Sequence, residues 1–212
     1  MSNYTTGEIA KLAGVTVRTV QYYDSRGILM PSDFSEGGRR LYTEEDLKKL
    51  NWKNEKLLAE GAGKMLWYAP AQKREIFFSC SNKKLMQISG KEFPFPALLF
   101  LADKDNLSVF ILPSSRRPNQ NTRLYEAPFW NVSKAGRICL PTGARNSFHT
   151  MEEWEEIFYR SAFSHSGGAA FKIGTVEKIF PKLVKDKKAK FPVKNCFLHK
   201  FKVGDLLKGK DQ

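Results

Sequence analysis

Tyr125-Glu126-Ala127-Pro128-Phe129-Trp130-Asn131-Val132-Ser133-Lys134-Ala135-Gly136-Arg137-Ile138-Cys139-Leu140 is the stretch on which the chain's identity turns. Two aromatic residues lead into an asparagine, a glycine interrupts the run, and a short strand-like segment ends on a cysteine and a leucine. By residue type alone, Cys139 is either a small buried hydrophobe or a nucleophile. The thiolate is the reactive form of cysteine, and a small fraction of an ordinary thiol is ionised at neutral pH. Asn131 either makes a turn or aims its amide at a developing oxyanion. Tyr125 and Trp130 suit packing better than chemistry.

Outward from this stretch, Met65-Leu66-Trp67-Tyr68, Glu75-Ile76-Phe77-Phe78, Ala97–Ala102 and Leu107–Leu112 are short, apolar and separated by turn residues. That spacing predicts an antiparallel meander. Helical patterns follow. Thr150-Met151-Glu152-Glu153 offers a capping box to a helix with Trp154, Ile157 and Phe158 on one face, and Val176–Phe180 predicts a shorter helix. Strands first and helices after give an α+β class.

Before residue 60 the pattern is different. Thr5-x-x-Glu8 is a capping box ahead of Ile9, Leu12 and Ala13, and Gly14 ends that helix. Thr16 caps a second helix with Val17 and Val20 inward, and Gly27 stops it. Two short helices joined by a tight turn make a helix-turn-helix. Ser35–Tyr42 predicts a hairpin tip carrying Arg39 and Arg40, and Thr43 caps a third helix bearing Leu47, Leu50, Leu57 and Leu58. The small residues Gly61-Ala62-Gly63 mark a seam. The expected organisation is a small all-α winged helix over residues 1–60 and an α+β domain over 65–212.

The motifs Thr5-Thr6-Gly7-Glu8-Ile9-Ala10, Val15–Asp24, Gly27-Ile28-Leu29-Met30-Pro31 and Gly38-Arg39-Arg40-Leu41-Tyr42, in that order, resemble the MerR-type winged helix. The resemblance implies DNA contacts from Val17, Arg18, Tyr22, Arg39, Arg40 and Tyr42, with arginine gripping phosphate or a guanine edge. Arg39 stands where that family's wing carries tyrosine, and the family's long dimerising helix does not follow. A helper module, a remnant or a fusion partner attached to the rest are alternatives for this segment.

In the longer domain, Asn131-Val132, Gly136 and Ile138-Cys139-Leu140 are similar to the active-site flap of ubiquitin-conjugating enzymes. In that flap a His-Pro-Asn triplet precedes the catalytic cysteine, with its Asn eight residues upstream. Phe129 and Trp130 occupy the His and Pro positions. With Phe93–Phe100, Arg117-Pro118, Leu124–Phe129 and Trp154 to His165, the pattern resembles the prokaryotic ubiquitin-conjugating-like branch that includes PRTRC system protein B. The resemblance implies a ubiquitin-conjugating-like fold and thioester transfer through Cys139, with Asn131 holding the flap or the oxyanion. It implies that His165 acts downstream of the cysteine; His149 is a weaker alternative. It implies no cofactor, and as partners a ubiquitin-like modifier, an activating enzyme and a JAB-type peptidase. The competing reading is a MerR-like DNA-binding regulator whose second domain is a non-catalytic interaction module.

Composition bounds both readings. The chain has 212 residues, 42% hydrophobic and 27% charged, the balance of a folded globular protein. No apolar run reaches the roughly 20 residues of a membrane span. The absence of a secretory pattern and the sparse set of three cysteines predict a reducing, cytoplasmic setting. The net charge of +13 is uneven: residues 1–64 carry +1 and the remainder +12. The lysine-rich segment from Pro181 fits a solubilising tail or a surface for an acidic partner. Cys196-x-x-His199 has no second pair at zinc spacing, so no metal site is expected. Gly167-Gly168 lacks the Lys-Ser/Thr of a phosphate loop.

Overall fold

The computed structural model describes residues 3–13, 15–25, 27–54, 56–61, 63–104, 106–140, 149–168 and 170–207. The chain forms two compact units, Met1–Leu58 and Ala59–Gln212. Gly14, predicted to end the first helix, lies outside the described residues, as does Ala62 of the seam.

In the first unit β1 (Tyr4–Thr5) runs into α1 (Thr6–Leu12), where Thr5 and Glu8 form the predicted capping box. α2 (Val17–Ser25) follows, and the Thr19 N–H donates to Thr16 Oγ1 at its start. β2 (Asp33–Phe34) and β3 (Arg40–Tyr42) form the wing hairpin, and α3 (Glu44–Asn54) comes next. The strand order β1-β3-β2 makes a small antiparallel sheet, so the unit is not all-α. Strands of two and three residues are too short to display alternation in the sequence. Ile9, Ala10, Val20, Tyr23, Leu29, Tyr42 and Leu50 form the core. Val17, expected inward, is instead 44% exposed, and Leu12 is 55% exposed. Asp46 ties the wing to α3. Burial alone would raise its pKa, but hydrogen bonds from the Ser32 hydroxyl, Lys49 and the Thr43 N–H and hydroxyl hold it below the ordinary value.

The division between units falls inside β4 (Leu57–Gly61). Leu57 and Leu58 therefore belong to a strand rather than to α3. β5 (Lys64–Ala69), β6 (Gln72–Ile76), the short α4 (Lys83–Met86), β7 (Lys91–Phe95), β8 (Leu98–Asp103), β9 (Asn106–Ile111) and β10 (Arg123–Tyr125) follow. After α5 (Met151–Arg160) and α6 (Val176–Lys185), β11 (Leu198–Lys202) returns to pair with β10. The main sheet has the order β11-β10-β9-β8-β5-β4, while β6 and β7 pair separately. The expected meander is met only in part: β5 pairs with β8 and β8 with β9, in registers unbroken from Lys64↔Asp103 to Ala69↔Leu98 and from Leu98↔Ile111 to Asp103↔Asn106, but the expected strand Glu75–Phe78 is not between them, because its first residues belong to β6 and pair with β7.

α5 starts on the predicted Thr150–Glu153 capping box and buries Trp154 and Phe158. A largely aromatic core fills the space between sheet and helices. At its centre, the Phe129 ring lies 5.4–5.8 Å from those of Phe95, Phe158, Phe163, Phe180 and Phe191. Edge-to-face and offset contacts of this kind add to the area they bury. The segment after Pro181 is not a free tail. α6 continues through Pro181, and Phe191, Cys196 and Val203 are buried. No described helix is long and apolar enough to cross a membrane.

Candidate functional site

The chain leaves β10 for the core at Phe129 and turns at Asn131. Asn131 takes a left-handed conformation, φ 64°, that asparagine tolerates better than most residues. Val132 and Ile138 form an antiparallel bridge, the Ser133 N–H donates to the Arg137 carbonyl at 2.9 Å, and the Gly136 N–H donates to the Ser133 carbonyl at 2.8 Å. The result is a tight hairpin. It is laid against the edge of β9: the Val109 N–H donates to the Gly136 carbonyl and the Ile138 N–H to the Leu107 carbonyl. At Gly136 (φ 84°) a Cβ would sit 2.4 Å from the Phe110 ring, which accounts for the glycine of the motif.

Cys139 is the residue after this bridge, and its side chain is exposed. Its N–H donates to the Asn131 carbonyl at 2.8 Å, closing the hairpin at its open end. At the root of the flap, burial raises the carboxyl pKa of Glu126, partly offset by Lys134. The segment after Leu140 lies outside the described residues.

The loop after α5 meets the same asparagine. The Asn131 N–H donates to the His165 carbonyl at 2.7 Å. Its Oδ1 accepts the N–H of Ser164 (3.0 Å), the hydroxyl of Ser164 (3.2 Å) and the N–H of His165 (3.2 Å), and its Nδ2 donates to the Ala162 carbonyl at 3.2 Å. Asn131 is 8% exposed and is thus the joint between flap and loop. Cys139 and His165 each hydrogen-bond to it through their backbones. Of the two roles expected of Asn131, this geometry is that of holding the flap. Gly167 continues the contact: a Cβ there would fall 1.8 Å from the Val132 carbonyl oxygen. Gly167 thus serves close backbone approach, while Gly168 takes a left-handed backbone, φ 88°, with open space beside it.

The structure therefore gathers Cys139, Asn131 and His165 at one place. Ser164, which the sequence pattern does not single out, joins them, with its Oγ 3.0 Å from His165 Nδ1. His149 sits elsewhere, its ring 4.7 Å from that of Trp154 and its Nδ1 3.7 Å from Glu153 at the start of α5. Trp130 packs edge-on against Phe78. Cys196 is buried, and burial pushes its thiol up to about 12. His199 packs on Phe110, where burial lowers its pKa. Among the described residues no three His, Cys, Asp or Glu side chains gather into a metal cluster.

In the first unit, Val17 and Arg18 are exposed on α2, Tyr22 is half-buried against the core, and Arg39 is exposed in the wing turn. Arg40 is ion-paired through Nε to Asp24 of α2. Tyr42 is a correction to the expected DNA contacts. It is fully buried, with its hydroxyl enclosed, because β3 packs this side of the wing onto α1.

Two family profiles match the chain, and they overlap within the first unit. The profile of the MerR HTH family of regulatory proteins matches residues 4–58. The transcriptional activator TipA of Streptomyces coelicolor is 48% identical over 48 residues, 23% of this chain and 19% of that protein. The regulator ZntR of Escherichia coli K12 is 45% identical over 49 residues, 23% of this chain and 35% of its own. A MerR family regulator structure from Bacillus cereus is 47% identical, covering 23% of this chain and 37% of that one, with a TM-score of 0.23. The chain thus spans about a fifth to a third of the curated relatives it matches. The longer match begins in the wing and includes the flap, Cys139, Asn131 and the His165 loop. It runs over residues 38–197, and by it the chain belongs to prokaryotic E2 family D.

Proposed function

We propose that this protein is a carrier enzyme of a ubiquitin-like conjugation pathway, with a ubiquitin-conjugating-like fold in its second unit. The observation that carries the reading is the exposed Cys139 at the end of a hairpin whose backbone is fixed by Asn131. The Cys139 thiolate attacks the carbonyl carbon of a modifier held as a thioester on an activating enzyme. A new C–S bond forms, the old one breaks, and the donor cysteine leaves as thiolate. An amine or hydroxyl on the target then attacks the Cys139 thioester. The Cys139 thiolate departs, and the nucleophile's proton passes to a base. His165, exposed beside Asn131, takes that role, and Asn131 holds the flap on which the acyl group rides.

Intact mass spectrometry without reductant tests this. Wild type and Cys139→Ser are each mixed with ATP, the activating enzyme and the modifier. The expected result is a modifier-sized adduct on wild type that dithiothreitol removes, and on the serine variant a dithiothreitol-resistant ester or nothing. An activating enzyme that becomes charged while wild type gains no mass overturns the reading.

The first unit supports a second reading, duplex DNA binding, carried by Val17 and Arg18 exposed on α2 and Arg39 exposed in the wing. Arg18→Ala and Arg39→Ala should each weaken binding of the full chain to a labelled duplex and reduce its salt dependence. Unchanged anisotropy titrations would exclude it.

A further inference from the structure

The hydrogen bonds around Asn131 determine more than the flap. The Asn131 amide has one permissible orientation, because the atom facing the backbone N–H groups of Ser164 and His165 must accept and the atom facing the Ala162 carbonyl must donate. Oδ1 is therefore an acceptor for everything that touches it. The Ser164 hydroxyl lies 3.2 Å from Oδ1 and has a single proton. If that proton is given to Oδ1, the hydroxyl can only accept from its other neighbour, His165 Nδ1 at 3.0 Å. The opposite arrangement, Ser164 donating to a bare Nδ1, forfeits one hydrogen bond and sets two oxygen lone pairs against each other.

We infer that Ser164 is a positioning residue that holds the neutral His165 ring as its Nδ1–H tautomer, through the relay His165 Nδ1–H to Ser164 Oγ–H to Asn131 Oδ1. Nε2 then carries the lone pair and is the atom that receives a proton from an incoming nucleophile. The bias expected from one additional hydrogen bond is about fivefold in the tautomer ratio. The tautomer stands on the hydrogen bonds alone; its catalytic use rests on the carrier reading above.

Long-range proton–nitrogen NMR of the full chain in alkaline buffer, where a free imidazole is neutral, reads the tautomer directly. The chain has three histidines, and the His165→Gln variant assigns the signal by its loss. Wild type should show a substantial Nδ1–H population, about fivefold larger relative to Nε2–H than in a ring without the Ser164 hydrogen bond. Ser164→Ala should shift the ratio toward Nε2–H by about fivefold, and Ser164→Thr, which keeps the hydroxyl, should restore it. A wild-type ring with no Nδ1–H population, or a ratio that Ser164→Ala leaves unmoved, overturns the inference. Single-turnover discharge of a Cys139 thioester to free lysine separates the two claims. A rate that falls about three- to tenfold in Ser164→Ala and recovers in Ser164→Thr supports Nε2 as the proton acceptor. A tautomer that moves while discharge does not overturns that use of His165.

Discussion

Replacing Asn131 by alanine should destabilise the second unit by about 3 kcal/mol, within a range of about 2–4. The figure has two sources. Four side-chain hydrogen bonds disappear: three accepted by Oδ1 from the Ser164 N–H, the Ser164 hydroxyl and the His165 N–H, and one given by Nδ2 to Ala162. At about 0.5–1.5 kcal/mol each they would give about 2–6 kcal/mol, but Ser164 and His165 are exposed and water replaces part of what they lose. The second source is the backbone. At φ 64° an alanine pays about 1–2 kcal/mol for the left-handed conformation. Asn131→Gly removes the same hydrogen bonds without that strain, so it should be milder than Asn131→Ala by about 0.5–1 kcal/mol. Urea unfolding followed by tryptophan fluorescence is suitable, because Trp67, Trp130 and Trp154 all lie in the second unit. Two results would refute the reasoning: Asn131→Ala within about 0.5 kcal/mol of wild type, or glycine as damaging as alanine.

Phe129→His, which writes a histidine into the flap, should cost about 3–5 kcal/mol without raising thioester discharge, since the ring it replaces is 1% exposed at the centre of the aromatic core. Unfolding curves and discharge rates check both halves. In the native protein at neutral pH a maleimide should modify Cys139 quickly and leave Cys196 unmodified, because burial holds the Cys196 thiol near 12; peptide mapping of equal modification at the two would contradict this. Asp46 has a depressed pKa, so the stability it contributes is complete above the unfolded value of about 3.9 and is lost as pH falls through its lower folded value. The amide protection factors of Val20 and Tyr23, each rate taken relative to the unstructured rate at the same pH, should therefore fall below about pH 4 in wild type and less so in Asp46→Asn.

The features legible in the sequence are those fixed within a few residues. The capping boxes at Thr5–Glu8 and Thr150–Glu153 are stated by residues three apart, and both form. β8 and β9 announce themselves as apolar runs around a turn, and they pair through it. β10 and β11 do not, because their pairing joins Tyr125 to Leu198 across nearly half of the second unit and each shows too little alternation to stand out. Leu57 and Leu58 continue a helical period, and only the sheet they enter makes them strand. The site divides in the same way. The eight-residue spacing of Asn131 and Cys139 is the length of a closed hairpin, and the Cys139 N–H does close on the Asn131 carbonyl. Nothing local tells that Gly167 must lie on Val132 or that Ser164 must meet Asn131, because those two contacts span more than thirty residues.

In the proposed transfer the proton acceptor is His165, far along the chain from Asn131, and Phe129 gives a physical reason for that distance. A proton acceptor must touch solvent or substrate in order to collect and release a proton. Two residues before Asn131 the chain is already inside the core, and the Phe129 side chain closes a ring cluster with Phe95, Phe158 and Phe163. An imidazole there would be desolvated and cut off from any nucleophile approaching Cys139. The flap can keep its backbone geometry under that constraint, since the hairpin depends on Asn131, Gly136, β9 and the backbone carbonyl of residue 129 rather than on that residue's side chain. The same packing pulls Phe163 beneath the flap and so brings the next two residues, Ser164 and His165, up against Asn131. The core that fills the position before Asn131 with Phe129 is thus the same core that brings His165, the proton acceptor of the proposed transfer, up to Asn131.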